Sequence, residues 1–155
     1  MKVLAIDPGY ERCGVAVLEK ETGKDVLLYS DCIQTSKELP FPERLGIVAD
    51  ECSHIIGEYG PDAFAIEKVF FNANKKTAMA VSEVRGSLIT IAQQANIAVS
   101  EYTPGEIKVA VTGYGNADKK QVTAMVEKLI RIDKEIRFDD EYDAIAIGIT
   151  HLAHN

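Results

Sequence analysis

Three short apolar stretches of the sequence adjoin acidic residues, and this pattern limits how the chain can fold. Asp7 follows Val-Leu-Ala-Ile, Glu67 follows Ala-Phe-Ala-Ile, and Asp140 and Asp143 lie just before Ala-Ile-Ala-Ile-Gly-Ile-Thr. A carboxylate beside a buried strand or helix is costly unless it is paired, hydrogen-bonded or bound to a metal. We therefore expect a fold that brings the four carboxylates together, most simply at a magnesium site for phosphate chemistry.

The length of 155 residues predicts one domain, spanning residues 1–155, with a single core. No apolar run reaches the length of a membrane span, and the first residues lack the apolar region and cleavage site of a signal peptide. We therefore expect a cytoplasmic protein with no membrane partner. Cys13, Cys32 and Cys52 form no Cys-x-x-Cys or Cys/His pair, so buried free thiols are expected rather than a zinc site.

The charge of the chain is unevenly distributed along the sequence. The formal net charge is −7, which argues against nonspecific nucleic-acid binding by the whole surface. Residues 68–132 nevertheless carry 9 basic and 5 acidic side chains, whereas residues 1–67 and 133–155 are both acidic. The middle of the chain is thus a basic segment between acidic ends, and both ends hold candidate metal ligands.

Apolar patterning and turn residues predict an α/β protein. The predicted strands are 3–7, 13–19, 25–35, 63–69 and 96–103, and the predicted helices are 42–59, 76–95, a short one after Thr103, one from Asp118 to about 131, and one from Asp139 or Asp140 to about 153. Thr103 with Glu106, and Asp118 with Gln121, match the capping-box pattern. This order predicts a mixed five-stranded sheet with helices on both faces.

Such a sheet can bring the four acids to one edge. Asp7 and Glu67 would lie side by side if their strands are parallel neighbours, while Asp140 and Asp143 share one face of a helix start. Two Mg²⁺ ions about 4 Å apart would relieve the repulsion of such a cluster and activate a water for in-line attack on a phosphodiester. Taken singly, the same residues are also compatible with a turn, a strand-end charge or a helix-dipole charge.

Four sequence blocks resemble the RuvC family of Holliday-junction resolvases, in family order and over nearly the whole chain. They are LAIDPGYERCGVAV, AIEKVFFNANKKTAMAVSEVRG, YTPGEIKVAVTGYGNADKKQVTAMV and DEYDAIAIGITH. The resemblance implies an RNase H-like fold, a homodimer, and a Mg²⁺-dependent endonuclease that nicks two opposed strands of a four-way DNA junction in recombination and repair. It also implies a RuvAB-type branch-migration partner. By motif match, the metal ligands are Asp7, Glu67, Asp140 and Asp143.

The basic segment offers candidate DNA contacts. Aromatic and basic side chains beside an acidic cluster suit base stacking and phosphate binding. The resemblance places Phe70 at the junction crossover, although either phenylalanine could instead belong to the core. The candidates are Phe70, Phe71, Asn74, Lys75, Lys76, Arg85, Lys108, Lys119 and Lys120.

The resemblance also suggests roles for particular residues. Lys119 or Lys120 would stabilise negative charge at the scissile phosphate, and the sequence leaves open which; both could also be solvated charges. Gly86 in the second helix suggests close packing in a dimer or against the sheet. Asp139 is interpreted as a helix cap, and His151 as a solvated residue near a helix end.

Three other functions share parts of this pattern. YqgF-type nucleases that act on RNA have a similar size and a similar first strand, but they lack the second and third blocks. A junction-binding module without activity would gain nothing from four acids facing DNA. An actin-like ATPase needs two such domains, and 155 residues supply only one.

Mn²⁺ is a second candidate, beside Mg²⁺, for the ion that the four acids would bind.

Overall fold

The computed structural model describes residues 1–70 and 75–155 of the chain. The predicted DNA contacts Phe71 and Asn74, and the side chain of Lys75, lie outside the described residues.

Within residues 1–70 and 75–155, five strands and five helices follow one another in the predicted order. The strands are β1 (Lys2–Asp7), β2 (Arg12–Glu21), β3 (Lys24–Gln34), β4 (Ala63–Glu67) and β5 (Ala98–Tyr102), and the helices are α1 (Phe41–Tyr59), α2 (Lys75–Gln94), α3 (Pro104–Thr112), α4 (Lys119–Leu129) and α5 (Asp139–His154). None of the helices in the described residues combines the length and hydropathy of a membrane span.

The strands form one mixed sheet in the order β3-β2-β1-β4-β5. Strands β1, β2 and β3 are an antiparallel meander, while β4 lies parallel to both β1 and β5. The predicted mixed five-stranded sheet is therefore confirmed. Because β1 and β4 are parallel neighbours, their carboxyl ends meet at the same edge.

Helices cover both faces of this sheet, as predicted. Alternation along the strands sends Val3, Ala5 and Ala65 to one face, where they pack against α3, α4 and α5. Leu4 and Ile6 point to the other face, where they pack against α1 and α2. All three cysteines are buried and free, which confirms their interpretation.

Local sequence explains where α3 and α4 begin. The Thr103 hydroxyl accepts a hydrogen bond from the Glu106 amide, and the Glu106 carboxylate accepts one from the Thr103 amide. Asp118 and Gln121 form the same reciprocal pair at the start of α4. Each pair satisfies two backbone donors that the first helical turn would leave free, so both predicted capping boxes are confirmed.

Helix α5 lies unusually close to β2. A side-chain carbon on Gly148 would lie 2.4 Å from Cδ1 of Leu18, and one on Gly14 would lie 1.8 Å from the backbone oxygen of Asp140. At Gly14 only glycine fits against the backbone of Asp140, whereas a larger residue at Gly148 would require the Leu18 side chain to move. The start of α5 is thereby held against the sheet beside the carboxyl end of β1.

Candidate active site

Asp7 and Glu67 are the last residues of the parallel strands β1 and β4. The register pairs Ile6 with Ile66, so the two acids follow in adjacent positions. After burial, the charge of Glu67 is the largest cause that raises the pKa of Asp7, so the two carboxyl groups interact electrostatically. The structure therefore brings together the first two acids that the sequence singled out.

Asp140 and Asp143 come to the same edge on α5. Both lie near the start of this helix, and the charges of both act on Asp7. The side chain of Asp140 is 21% exposed and that of Asp143 is 33% exposed. All four acids thus form one electrostatic group, as the pattern of apolar runs predicted.

Burial and mutual repulsion favour the protonated forms of these acids. The pKa of Asp7 is raised well above its usual value, first by burial and then by the charges of Glu67, Asp143 and Asp140. Burial and the charge of Asp143 raise the pKa of Glu67 to about 6. Burial also raises the pKa of Asp143, although Lys119 opposes the shift. Binding of a cation would therefore stabilise the ionised forms of these acids.

Lys119 supplies one such positive charge. Its Nζ lies 2.6 Å from Oδ2 of Asp139 and 3.0 Å from Oδ2 of Asp143. Partial burial alone would lower the pKa of Lys119, but its hydrogen bonds to Asp139 and Asp143 outweigh burial and raise it. Lys119 therefore stays charged. Its neighbour Lys120 is exposed and has no ion pair among the described residues.

The interpretation of Asp139 as a helix cap is wrong. Phe138 is the N-cap residue of α5, and no side chain caps this helix. Asp139 is instead the first helical residue and pairs with Lys119. An acid in the first turn is still favoured by the helix dipole, but here it also holds Lys119 beside the site.

The donor set suits a hard divalent cation. All four groups are carboxylates, the ligand type that Mg²⁺ and Ca²⁺ prefer. Oδ2 of Asp140 is buried and has no hydrogen-bond partner in the described part of the chain, as expected of an oxygen meant for another ligand. Within residues 1–70 and 75–155, no three His, Cys, Asp or Glu side chains already stand in coordinating positions. Asp140 and Asp143 instead form ion pairs with side chains of the protein, Arg12 and Lys119 respectively.

A cleft of about 250 Å³ opens beside the acids. Glu67, Asp143, Lys108 and Lys119 form its polar rim. Its other lining residues are Pro104, Ile107, Val122, Ala146 and Ile147. The cleft places two of the predicted lysines next to the carboxylates, where an anionic group would meet both charges.

Three other predicted DNA contacts are described by the structure, and none of them is among the residues that line the cleft. Phe70 is 51% exposed, so it does not belong to the core. Lys76 is exposed at the start of α2. The contacts of Arg85 are within the protein. Its Nε donates a hydrogen bond to the backbone oxygen of Glu67 at 2.9 Å, and its guanidinium forms an ion pair with Glu101. Arg85 therefore fixes the end of β4 in this structure.

Gly86 meets no other part of the described chain. A side-chain carbon there would have nothing within 4 Å, so packing against the sheet does not explain this glycine. Gly86 is exposed, and its packing against the sheet is therefore excluded.

The expectation that His151 is solvated is wrong. The residue is 4% exposed, and its Nδ1 lies 3.0 Å from the hydroxyl of Tyr102. Burial lowers its pKa. The partner is 49 residues away in the sequence, and no local pattern marks the pair.

Sequence reasoning also missed Arg12. Its Nε lies 3.1 Å from Oδ2 of Asp140, next to the acidic group. Arg12 lies in the first of the four resembling sequence blocks. Nothing in that block connects Arg12 with a residue 128 positions later. Only the crossing of α5 over β2 brings the two together.

Comparison with known proteins identifies the relatives of this chain. The family model described as crossover junction endodeoxyribonuclease RuvC matches residues 3–151. The crossover junction endodeoxyribonuclease RuvC of Thermosipho melanesiensis is 44% identical over 148 residues, covering 96% of this chain and 94% of that protein. The protein of the same name from Syntrophomonas wolfei is 42% identical and covers 98% of this chain and 88% of its own length.

Solved structures agree with this relationship. T. thermophilus RuvC in complex with a Holliday junction substrate superposes with a TM-score of 0.92 at 30% identity, covering 99% of this chain and 94% of that one. The yeast mitochondrial Holliday junction resolvase Ydc2 has a TM-score of 0.68 at 12% identity, which shows a shared fold.

Proposed function

Because this chain belongs to the RuvC family of crossover junction endodeoxyribonucleases, we propose that it resolves four-way Holliday junctions in DNA recombination and repair. As a single nuclease domain of RNase H-like fold, it would cut by paired symmetric nicks. One observation carries the proposal beyond the family name: Asp7, Glu67, Asp140 and Asp143 act on one another at one sheet edge, beside a cleft with lysines on its rim.

We propose that these four acids hold Mg²⁺, two ions per site, with Mn²⁺ as an alternative. Bound divalent ions polarise a phosphate and lower the pKa of an attacking water. The residues of the chain prepare for this. Oδ2 of Asp140, which is buried and has no hydrogen-bond partner among the described residues, would gain a partner in a bound ion.

Lys119 is our choice for the lysine at the scissile phosphate. Its side chain lines the cleft and its Nζ lies 3.0 Å from Oδ2 of Asp143, whereas Lys120 is exposed and is not among the residues that line the cleft. A charged ammonium placed there donates hydrogen bonds to phosphate oxygens and stabilises the negative charge that develops during in-line attack. Lys120 and Lys108 then act as phosphate contacts on either side.

The remaining contacts complete the substrate surface. Phe70 is an exposed aromatic three residues after Glu67, so it is placed to stack on an unpaired base at the crossover. Lys76 extends this side of the surface, and we include Phe71, Asn74 and Lys75 by their neighbouring sequence positions. Arg85, on α2, supports the site in this proposal by holding the end of β4 through the backbone oxygen of Glu67.

A second copy of the chain is needed for two opposed nicks. We propose a homodimer with the open face of α2 around Gly86 at the interface. A RuvAB-type branch-migration complex is the proposed further partner, and the cytoplasm is the proposed location, where chromosomal DNA lies.

Cleavage of a synthetic four-way junction tests the proposal. We expect Mg²⁺-dependent paired nicks by the wild type and no cut in linear duplex of the same sequence. Asp7→Asn should lower cleavage by at least about 100-fold while junction affinity is retained, because it removes an acid and leaves the basic surface intact. A junction that stays uncut at every tested sequence, or an Asp7→Asn protein that still cuts, would contradict it.

A further inference from the structure

Arg12 makes a contact at the active site that the proposed mechanism does not use. It is the first residue of β2, and its Nε lies 3.1 Å from Oδ2 of Asp140. Gly14, two residues later, lies directly against the backbone oxygen of the same aspartate. The crossing of β2 and α5 therefore fixes Arg12 at the rim of the acidic group.

The contact between Arg12 and Asp140 is an ion pair without a hydrogen bond. The Oδ2 atom of Asp140 is buried yet accepts no hydrogen bond from any described residue, so the N–H of Arg12 is not aligned with it. The attraction between Arg12 and Asp140 is thus mainly Coulombic. A divalent cation bound to Asp140 would neutralise the negative charge that attracts Arg12.

The surroundings of Arg12 suit a side chain that changes partners. Its side chain is 46% exposed, and its guanidinium lies over the ring of Phe138 at 5.3 Å. Stacking on an aromatic ring supports the guanidinium plane but leaves its outward N–H groups free to donate. A guanidinium matches the geometry of a phosphate with two parallel hydrogen bonds.

We propose that Arg12 is a DNA phosphate contact released by metal binding. In the metal-free protein it neutralises Asp140; when a divalent cation takes Asp140, Arg12 turns to a backbone phosphate at the same sheet edge. The inference rests on the proposed metal site, and it adds a coupling: metal and DNA strengthen each other's binding through one arginine. Such coupling is reciprocal by thermodynamic necessity.

Metal affinity is the first readout. Isothermal titration of the protein without DNA compares wild type with Arg12→Gln, using Mg²⁺ and Ca²⁺. Because the variant lacks the competing cation, we expect it to bind each ion up to about fivefold more tightly, the scale of an exposed ion pair. Arg131→Gln is the matched control. Like Arg12, Arg131 pairs with an aspartate through its own Nε, here 2.7 Å from Oδ1 of Asp133, and the variant should bind the ions like wild type.

Junction affinity is the second readout. Fluorescence anisotropy measures binding with Ca²⁺ and without divalent ions, and gels of the same samples check that the junction stays uncut. Arg12→Gln should bind like wild type without metal and several-fold more weakly with Ca²⁺. The slope of log affinity against log salt should fall by about 0.9 only with Ca²⁺, as expected for one lost phosphate contact.

Four results would overturn the inference. Equal losses of junction affinity with and without Ca²⁺ would make Arg12 a permanent DNA contact. No loss under either condition would make it a counterion of Asp140 alone. A wild type that binds Ca²⁺ and Mg²⁺, with Arg12→Gln binding them no more tightly, would remove the competition while leaving the proposed function intact; a wild type that binds neither ion would overturn both.

Discussion

At the scale of single residues, the buried charge of Glu141 explains how two neighbouring acids are held in place. Glu141 is 4% exposed and lies between Asp140 and Asp143 in the sequence. Its Oε1 accepts hydrogen bonds from the Ser30 hydroxyl at 2.5 Å and lies 2.6 Å from Nζ of Lys134. Since no side chain caps α5, this network ties the start of the helix to β3.

Removing Lys134 should therefore cost stability. Lys134→Met leaves the buried Glu141 charge with only the Ser30 hydroxyl. We expect the free energy of unfolding to fall by about 2 kcal/mol, less than for a fully buried pair because the side chain of Lys134 is 43% exposed. Urea denaturation measures this. Lys128→Met, at an exposed position of α4, is the control and should change stability by less than about 0.5 kcal/mol; equal losses in both variants would refute the role of Glu141.

At the scale of elements, the crossing of α5 over β2 positions half of the acids. Gly14→Ala places a carbon 1.8 Å from the backbone oxygen of Asp140, and backbone cannot rotate away as a side chain can. Helix α5 must shift from the sheet edge, so we expect a loss of at least about 1–3 kcal/mol in stability and a weaker response to Mg²⁺.

Gly46→Ala provides the matched control for this prediction. Gly46 lies in α1, and an added carbon there meets nothing within 4 Å. Alanine favours helix by up to about 1 kcal/mol, so this variant should be as stable as wild type or more so, with an unchanged Mg²⁺ response. Thermal unfolding with and without Mg²⁺ measures both effects. A Gly14→Ala protein that keeps the wild-type response would show that the crossing does not set the site.

The elements also show what the sequence could and could not predict. The starts of α3 and α4 were predictable because capping boxes act over three residues. The meeting of Asp7 and Glu67 was predictable because parallel strands align their carboxyl ends. The burial of His151 against Tyr102, and the pairing of Arg12 with Asp140, depend on how α5 lies over distant strands. Contacts of that kind leave no local pattern.

At the scale of the whole molecule, the group of four acids destabilises the fold, and a bound cation would relieve this destabilisation. Glu67 has its pKa raised to about 6, and that of Asp7 is raised well above its usual value, so the folded state holds protons more firmly than the unfolded state. The stability that protonation gives is fully present below the ordinary pKa of a carboxyl group, and it is lost as pH rises through the raised values. The metal-free protein should therefore be less stable near neutral pH, where these acids lose their protons.

Mg²⁺ should offset this penalty in a way that depends on pH. Because the ion binds ionised carboxylates, which protons compete for, we expect it to raise the melting temperature more at pH 7.5 than at pH 5.5. Asp7→Asn removes one buried charge, so the metal-free variant should be more stable than wild type at pH 7.5 and respond less to Mg²⁺. Buried His151, with its lowered pKa, favours folding at higher pH, but it is present in both proteins and cancels in their difference. Differential scanning fluorimetry at both pH values measures these shifts, and equal Mg²⁺ shifts at pH 5.5 and 7.5 would show that protons and metal do not compete for these acids.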